Sequence, residues 1–228
     1  MKKIKYLFVT ILSLLFLFTI TGCKKESKKT EKKSKTDYMI LVNKESKLPD
    51  DWESRIELVD VYTGLDETYQ VEKKTAEAYK KLKADLAKDH VIIELDSTYR
   101  TAKKQQEIWD EFLEEYGEEY TKTYVAVPGT SEHHTGLAID VKLVKNGEII
   151  DDNDDMTAET EFFSKVHKKL AKYGFILRYP VGKEDITGYG AEVWHFRYID
   201  NPKIAKEIMD KGITLEEYLE SKKYTRVI

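Results

Sequence analysis

The chain has 228 residues, 35% of them charged and 41% apolar, which suits one soluble domain with a real core and something extra at one end. Its single cysteine, Cys23, excludes an internal disulfide framework and leaves the body of the chain no thiol for chemistry. The formal charge is −4 overall, yet from Asp37 onward there are 28 basic and 40 acidic residues, a balance of −12 that argues against a nucleic-acid surface.

In chain order, "MKKIKY" supplies three lysines and "LFVTILSLLFLFTI" an apolar run that is too short to span a bilayer comfortably, so residues 1–22 read as a secretory signal. Ile20, Thr21, Gly22 and Cys23 resemble the bacterial lipobox, in which the cysteine is lipidated and becomes the first mature residue; the plainer alternative is a cleaved signal with an incidental cysteine. Residues 24–36, "KKESKKTEKKSKT", hold seven lysines and no large apolar side chain, so residues 23–36 are expected to form a lipidated Cys and solvated tether that anionic head groups attract. Residues 37–228 are then expected to be one domain, held by the lipid outside the cytoplasmic membrane.

Within the domain, Ala76, Tyr79, Leu82 and Leu86 recur at helical spacing over 72–88. "VIIELDS" (91–97) reads as a buried strand, and Ile108, Trp109, Phe112 and Leu113 predict a helix over 101–116 that Gly117 ends. "PGTSEHH" is a turn before the alternating strand "LAIDVKLV" (137–144). "NGEII" reads as a hairpin turn into another strand. A helix over 158–172 would turn Phe162, Phe163, Val166 and Leu170 inward. "GFILRYP" and "VWHFRYI" are strand candidates separated by a loop, and residues 202–210 and 214–221 close the chain as short helices. Strands and helices mix without a regular alternation, so the expected class is α+β, a small, mainly antiparallel sheet flanked by helices.

Strand alternation puts Asp140 on the face opposite Leu137 and Ile139. A carboxylate on a strand end, His133 on the turn before it and His195 from another strand could supply two nitrogens and one oxygen to a metal, with a position left for water, the recipe for catalytic zinc. His134 would then face away. Taken alone, each histidine reads more readily as a hydrogen-bonded structural residue than as a ligand; it is the combination that points to a metal. Arg100 follows a strand and opens a helix, so its guanidinium could lean over the metal to stabilise an oxyanion or clamp a carboxylate; otherwise it is a surface arginine.

Ser131, His133, Gly136, Ala138 and Asp140, followed by Glu192, Trp194 and His195, resemble the motifs Ser-x-His-x-x-Gly-x-Ala-x-Asp and Glu-x-Trp-His of the VanY-type D,D-carboxypeptidases and their L,D-carboxypeptidase relatives. The likeness runs from about Val91 to Tyr198 and includes "STYRTAKKQQ" and "YGFILRYP"; Val193 departs from the family's usual proline. The resemblance implies a hedgehog/D,D-peptidase-like fold and one Zn2+ per chain held by His133, Asp140 and His195. It further implies Glu192 as general base, Arg100 as a catalytic cation, and Gln105 and Ser131 on the substrate's terminal carboxylate. Trp194, Tyr99 and Tyr124 are candidates to line the cleft or to be core. The implied activity is removal of the C-terminal D-alanine from peptidoglycan stem peptides, D,D or L,D. The alternatives are an endopeptidase of wall cross-links and a non-catalytic, zinc-stabilised wall-binding lipoprotein.

Overall fold

The computed structural model describes residues 36–225; the expected signal, Cys23 and all but the last residue of the tether lie outside them. After a 3-10 turn over Trp52–Arg55, the first strands form a hairpin whose weak alternation does not announce it, β1 (Leu58–Tyr62) and β2 (Thr68–Glu72), paired antiparallel. α1 (Lys73–Ala87) follows at once. Glu72 caps it by accepting the Thr75 N–H at 2.9 Å, and Ala76, Tyr79, Leu82 and Leu86 are buried as their spacing predicts.

The second sheet contains β3 (Ile92–Ser97), β4 (Ala138–Lys145), β5 (Glu148–Ile150), β6 (Phe175–Tyr179) and β7 (Glu192–Tyr198). Its spatial order is β3-β4-β7-β6, with β5 beside the distal part of β4, and every pairing is antiparallel. The fold class is therefore the α+β arrangement that the residue pattern predicts. Asn146 and Gly147 both take positive φ (55° and 85°) in the β4–β5 turn, as a two-residue hairpin requires.

Ile139, Val141 and Leu143 of β4 enter one core with Leu82, Leu86, Ile93 and Phe196, joined by Phe163, Val166 and Leu170. Each such side chain contributes on the order of 1.5–3 kcal/mol when fully buried. This core fixes the register of β4, because a slip of one residue would drive Asp140 into the apolar layer and turn Ile139 toward the opposite face.

Two helices depart from the sequence expectation. Gly117 does not end α2 (Ala102–Tyr124); it kinks it, with φ 81° and ψ 172°, and the helix resumes beyond. Its apolar stripe does not enter the core either: only Gln105 and Thr121 of α2 are buried, while Ile108 and Phe112 face a cleft. The helix expected over 158–172 is α4 (Thr160–Leu170), continued by a short 3-10 turn over Ala171–Tyr173, but a further short helix that the pattern does not announce, α3 (Asn153–Ala158), precedes it and is parted from it at Glu159. A single turn, α5 (Glu184–Thr187), lies in the β6–β7 loop; α6 (Pro202–Lys211) and α7 (Leu215–Thr225) close the described chain. No helix among the described residues is long and apolar enough to cross a membrane.

Candidate metal centre and cleft

Three local devices bring the predicted ligands together. The register places Asp140 of β4 directly opposite His195 of β7, so their side chains meet as cross-strand neighbours. His133 comes from a 3-10 turn, Glu132–Thr135, which Ser131 caps by accepting the His133 N–H and which Gly136 ends in the left-handed region at φ 69°. A Cβ at Gly136 would lie 3.2 Å from Leu58 Cδ2, so backbone freedom and close packing both call for glycine there. From beneath, buried Trp52 holds the turn through Nε1–H donated to the Thr135 carbonyl at 3.0 Å.

Glu192 and His195 are three apart, and a regular strand would send them to opposite faces. β7 is irregular at that point: Leu177 of β6 pairs with Phe196 but Tyr179 pairs with Glu192, so β7 carries extra residues. This bulge turns both side chains toward the same space. A second irregularity, between Leu95 and Ser97, bends β3 beside Asp140.

One ligand atom each from His133, Asp140 and His195 lies within 4.8 Å of the others. His133 Nε2 is 3.0 Å from Asp140 Oδ2, and His195 Nδ1 is 2.8 Å from Asp140 Oδ1. The latter contact lacks hydrogen-bond alignment, which leaves Oδ1 buried without a hydrogen-bond partner. Each imidazole uses its other nitrogen on a fixed acceptor, His133 Nδ1 on the Thr98 carbonyl at 2.7 Å and His195 Nε2 near Glu132 Oε2 at 3.5 Å. Such outer partners set the tautomer and aim the remaining lone pair. Two aimed imidazole nitrogens and an orphaned carboxylate oxygen are a donor set suited to Zn2+. Electrostatics agrees. Burial lowers the pKa of His133, which keeps it a neutral ligand. His195 is pushed the other way, to about 10, because Asp140 and Glu132 outweigh burial; the pocket attracts positive charge. His134 faces away, as expected, with Nδ1 on the Arg100 carbonyl at 2.6 Å.

Around these residues lies a cleft of about 310 Å³ into which Arg100, Gln105, Ser131, Glu192, Trp194 and Tyr124 all face. Glu192 Oε2 is 3.5 Å from His195 Nδ1. Arg100 is held by Nη1–H donated to Gln105 Oε1 at 2.8 Å and Nη2–H donated to Ser97 Oγ at 2.7 Å. Buried Gln105 donates Nε2–H to the Ala126 carbonyl at 2.7 Å. Tyr99 is not part of this lining: its hydroxyl donates to Glu53 Oε1 at 2.7 Å.

Sequence reasoning missed Glu132, which is fully buried behind His195. Its Oε1 accepts from Arg178 Nε at 2.8 Å and from Arg197 Nη1 at 2.6 Å, and Arg178 also pairs with Glu216. Burial alone would raise the Glu132 pKa, but the two guanidinium groups outweigh it and hold the carboxyl well below the usual range. A depressed carboxylate stabilises the fold fully above the unfolded glutamate pKa of about 4.3, and that contribution is lost as pH falls toward the native value. Glu132→Gln is therefore expected to cost about 3–5 kcal/mol at neutral pH, since it breaks a buried pair, and to lower metal affinity about 10- to 100-fold. Denaturant midpoints and zinc titrations check both, and the loss of stability should shrink in acid.

Comparison with known proteins gives a consistent picture. The family model VanY, described as D-alanyl-D-alanine carboxypeptidase, matches residues 68–201. A D-alanyl-D-alanine carboxypeptidase of Enterococcus faecalis is 35% identical over 196 residues, 81% of this chain and 66% of that protein, so the alignment spans just under two thirds of the relative's length. Among solved structures, the LdcB LD-carboxypeptidase, whose structure reveals the basis of its peptidoglycan recognition, is 38% identical with a TM-score of 0.68, over 79% of this chain and 84% of its own. A mutant of the vancomycin-resistance D,D-pentapeptidase VanY, in complex with Zn(II), is 31% identical with a TM-score of 0.67, over 80% of this chain and 98% of its own.

Proposed function

On the premise that the chain belongs to the VanY family of D-alanyl-D-alanine carboxypeptidases, we propose that it is a zinc-dependent carboxypeptidase removing the C-terminal D-alanine from peptidoglycan stem peptides. One observation carries this reading: the donor atoms of His133, Asp140 and His195 converge, and Glu192 and Arg100 face the same small cleft. A bound Zn2+ supplies a Lewis acid that polarises a carbonyl oxygen and brings the pKa of water down to about 7. Glu192 takes the proton of the attacking water and returns it to the leaving amine.

An exopeptidase must recognise a free carboxylate. Arg100 spends two of its five N–H groups on Gln105 and Ser97, and the others are available to clamp that carboxylate or the developing oxyanion. Ser131 Oγ accepts from the His133 N–H, which leaves its own proton to donate. Gln105, with Oε1 on Arg100 and one N–H on Ala126, has one N–H left for the same carboxylate.

The expected result with purified protein and zinc is release of D-alanine from a stem pentapeptide, from a tetrapeptide, or from both, and the substrate used assigns D,D or L,D specificity. Release from neither refutes the reading. Location belongs to the same proposal: lipidation of Cys23 and the lysines of residues 24–36 hold the enzyme on the membrane surface, facing the wall. Cell fractionation should find the unaltered protein with membranes and Cys23→Ser in the soluble fraction; an unchanged distribution would remove the anchor from the account.

A further inference from the structure

From Asp37 onward the chain is acidic, with 28 basic against 40 acidic residues, yet one face of the domain is not. Two neighbouring grooves that share Lys172 and Pro202 are lined by six lysines, Lys74, Lys81, Lys168, Lys172, Lys203 and Lys206, against three acids, Glu77, Asp200 and Asp210. All six lysines are exposed. Three of them are paired, Lys74 with Asp200 at 2.6 Å, Lys172 with Asp85 at 2.8 Å and Lys206 with Asp210 at 2.6 Å. Among the described residues Lys81, Lys168 and Lys203 have no ion-pair partner. Positive charge is therefore open to solvent in a domain whose overall charge repels anions.

The chain enters the domain at the same face. The Tyr38 ring lies 5.0 Å from the Lys74 ammonium and edge-on to Tyr198, with ring centroids 5.7 Å apart, and Lys74 and Tyr198 both line the smaller groove. Only 13 peptide steps lead from Cys23 to Thr36, a reach of at most about 45 Å. A lipid on Cys23 thus keeps the domain within that distance of a bilayer, where a high effective concentration makes a weak contact count. An anionic surface favours each nearby lysine about 5-fold. The cleft is suitably placed as well. Lys168 belongs to α4, whose Phe163, Val166 and Leu170 share a core with Ile139 and Phe196, and strand alternation puts Asp140 and His195 on the other face of the sheet.

We propose that the lysine face contributed by α1, α4 and α6 docks on anionic lipid head groups and so turns the cleft away from the membrane. The inference rests on the reading of Cys23 as a lipid anchor, and it adds an orientation carried by the domain itself rather than by the tether.

The test uses the lipidated protein reconstituted on vesicles of phosphatidylcholine, with or without phosphatidylglycerol. Lysine acetylation by a water-soluble reagent is read residue by residue by mass spectrometry. Phosphatidylglycerol is expected to slow labelling of Lys81, Lys168 and Lys203 about 3- to 10-fold, an effect lost at high salt, while exposed Lys103 of α2, the helix that borders the cleft, is labelled at one rate on both vesicles. In the double variant Lys168→Gln, Lys203→Gln, Lys81 should lose most of its protection with thermal unfolding unchanged. Equal labelling on the two vesicles overturns the proposal, as does equal slowing of Lys103. Protection by soluble poly(glycerol phosphate) but not by anionic vesicles would overturn it too, and assign the face to a wall polymer. Flotation judges the anchor separately. Protein that floats with both vesicles but shows no protection keeps the anchor and loses the docking face; protein that floats only with anionic vesicles, and is protected there, loses the anchor and keeps the face.

Discussion

Replacing Glu192 with alanine is expected to lower kcat by about 10²- to 10⁴-fold while the protein goes on binding one equivalent of zinc. The argument starts from burial. Glu192 opens β7 at the irregular pairing that turns it toward His195, and its side chain is only 15% exposed. Burial pushes its pKa up to about 7; the negative charge of Asp140 adds to this, and His195 and Arg100 pull the other way. A general base works best when its pKa lies near the working pH, and an ordinary surface glutamate would be too weak. Because Glu192 is no part of the donor triad, its removal should leave metal content intact. Metal analysis and steady-state kinetics on one preparation check both halves. Turnover that survives the substitution would take the base role from Glu192, and lost zinc would make it a ligand.

The second large effect concerns the ligands. Asp140→Ala removes the sole carboxylate of the triad and leaves two buried imidazoles facing each other, their ring centroids 5.0 Å apart. Zinc affinity should fall by more than the roughly 10- to 100-fold typical of an outer partner, and D-alanine release should fall to background with it. Against burial, which lowers it, Asp140 is the main group holding the His195 pKa up at about 10, so in the metal-free protein the pair stabilises the fold at neutral pH and ceases to as pH rises toward that value, and the variant's stability deficit should shrink at alkaline pH. Equilibrium dialysis with zinc and D-alanine release assays measure the first two outcomes; retention of stoichiometric, tight zinc would contradict the ligand assignment.

The candidate metal cluster was legible in the sequence in two ways: strand alternation and a short turn place Asp140 and His133 at one strand end, while His195, far along the chain, was singled out by the resemblance of its motif to the VanY family. The main sheet, α1 and the closing helices were legible through local periodicity. What escaped was set by tertiary contact. Ile108 and Phe112 have helical spacing whether they face a core or a cleft, so the pattern over 101–116 could not say which. Gly117 reads as a stop because its φ is positive, yet the helix continues past it. Glu132 occupies a variable-looking place between Ser131 and His133. Its signal lay elsewhere, in Arg178 and Arg197, two arginines set beside apolar and aromatic residues in "FILRY" and "HFRY", which require a counter-ion once buried. Tyr99 sits beside Arg100 in sequence, but adjacent side chains diverge, and it turned to Glu53.

The most direct test of the central claim is anomalous diffraction at the zinc edge from crystals of the protein grown with Zn2+. The account predicts a single strong peak bounded by His133 Nε2, the Asp140 carboxylate and His195 Nδ1. A peak elsewhere, or no peak among those three atoms with zinc in excess, would contradict it.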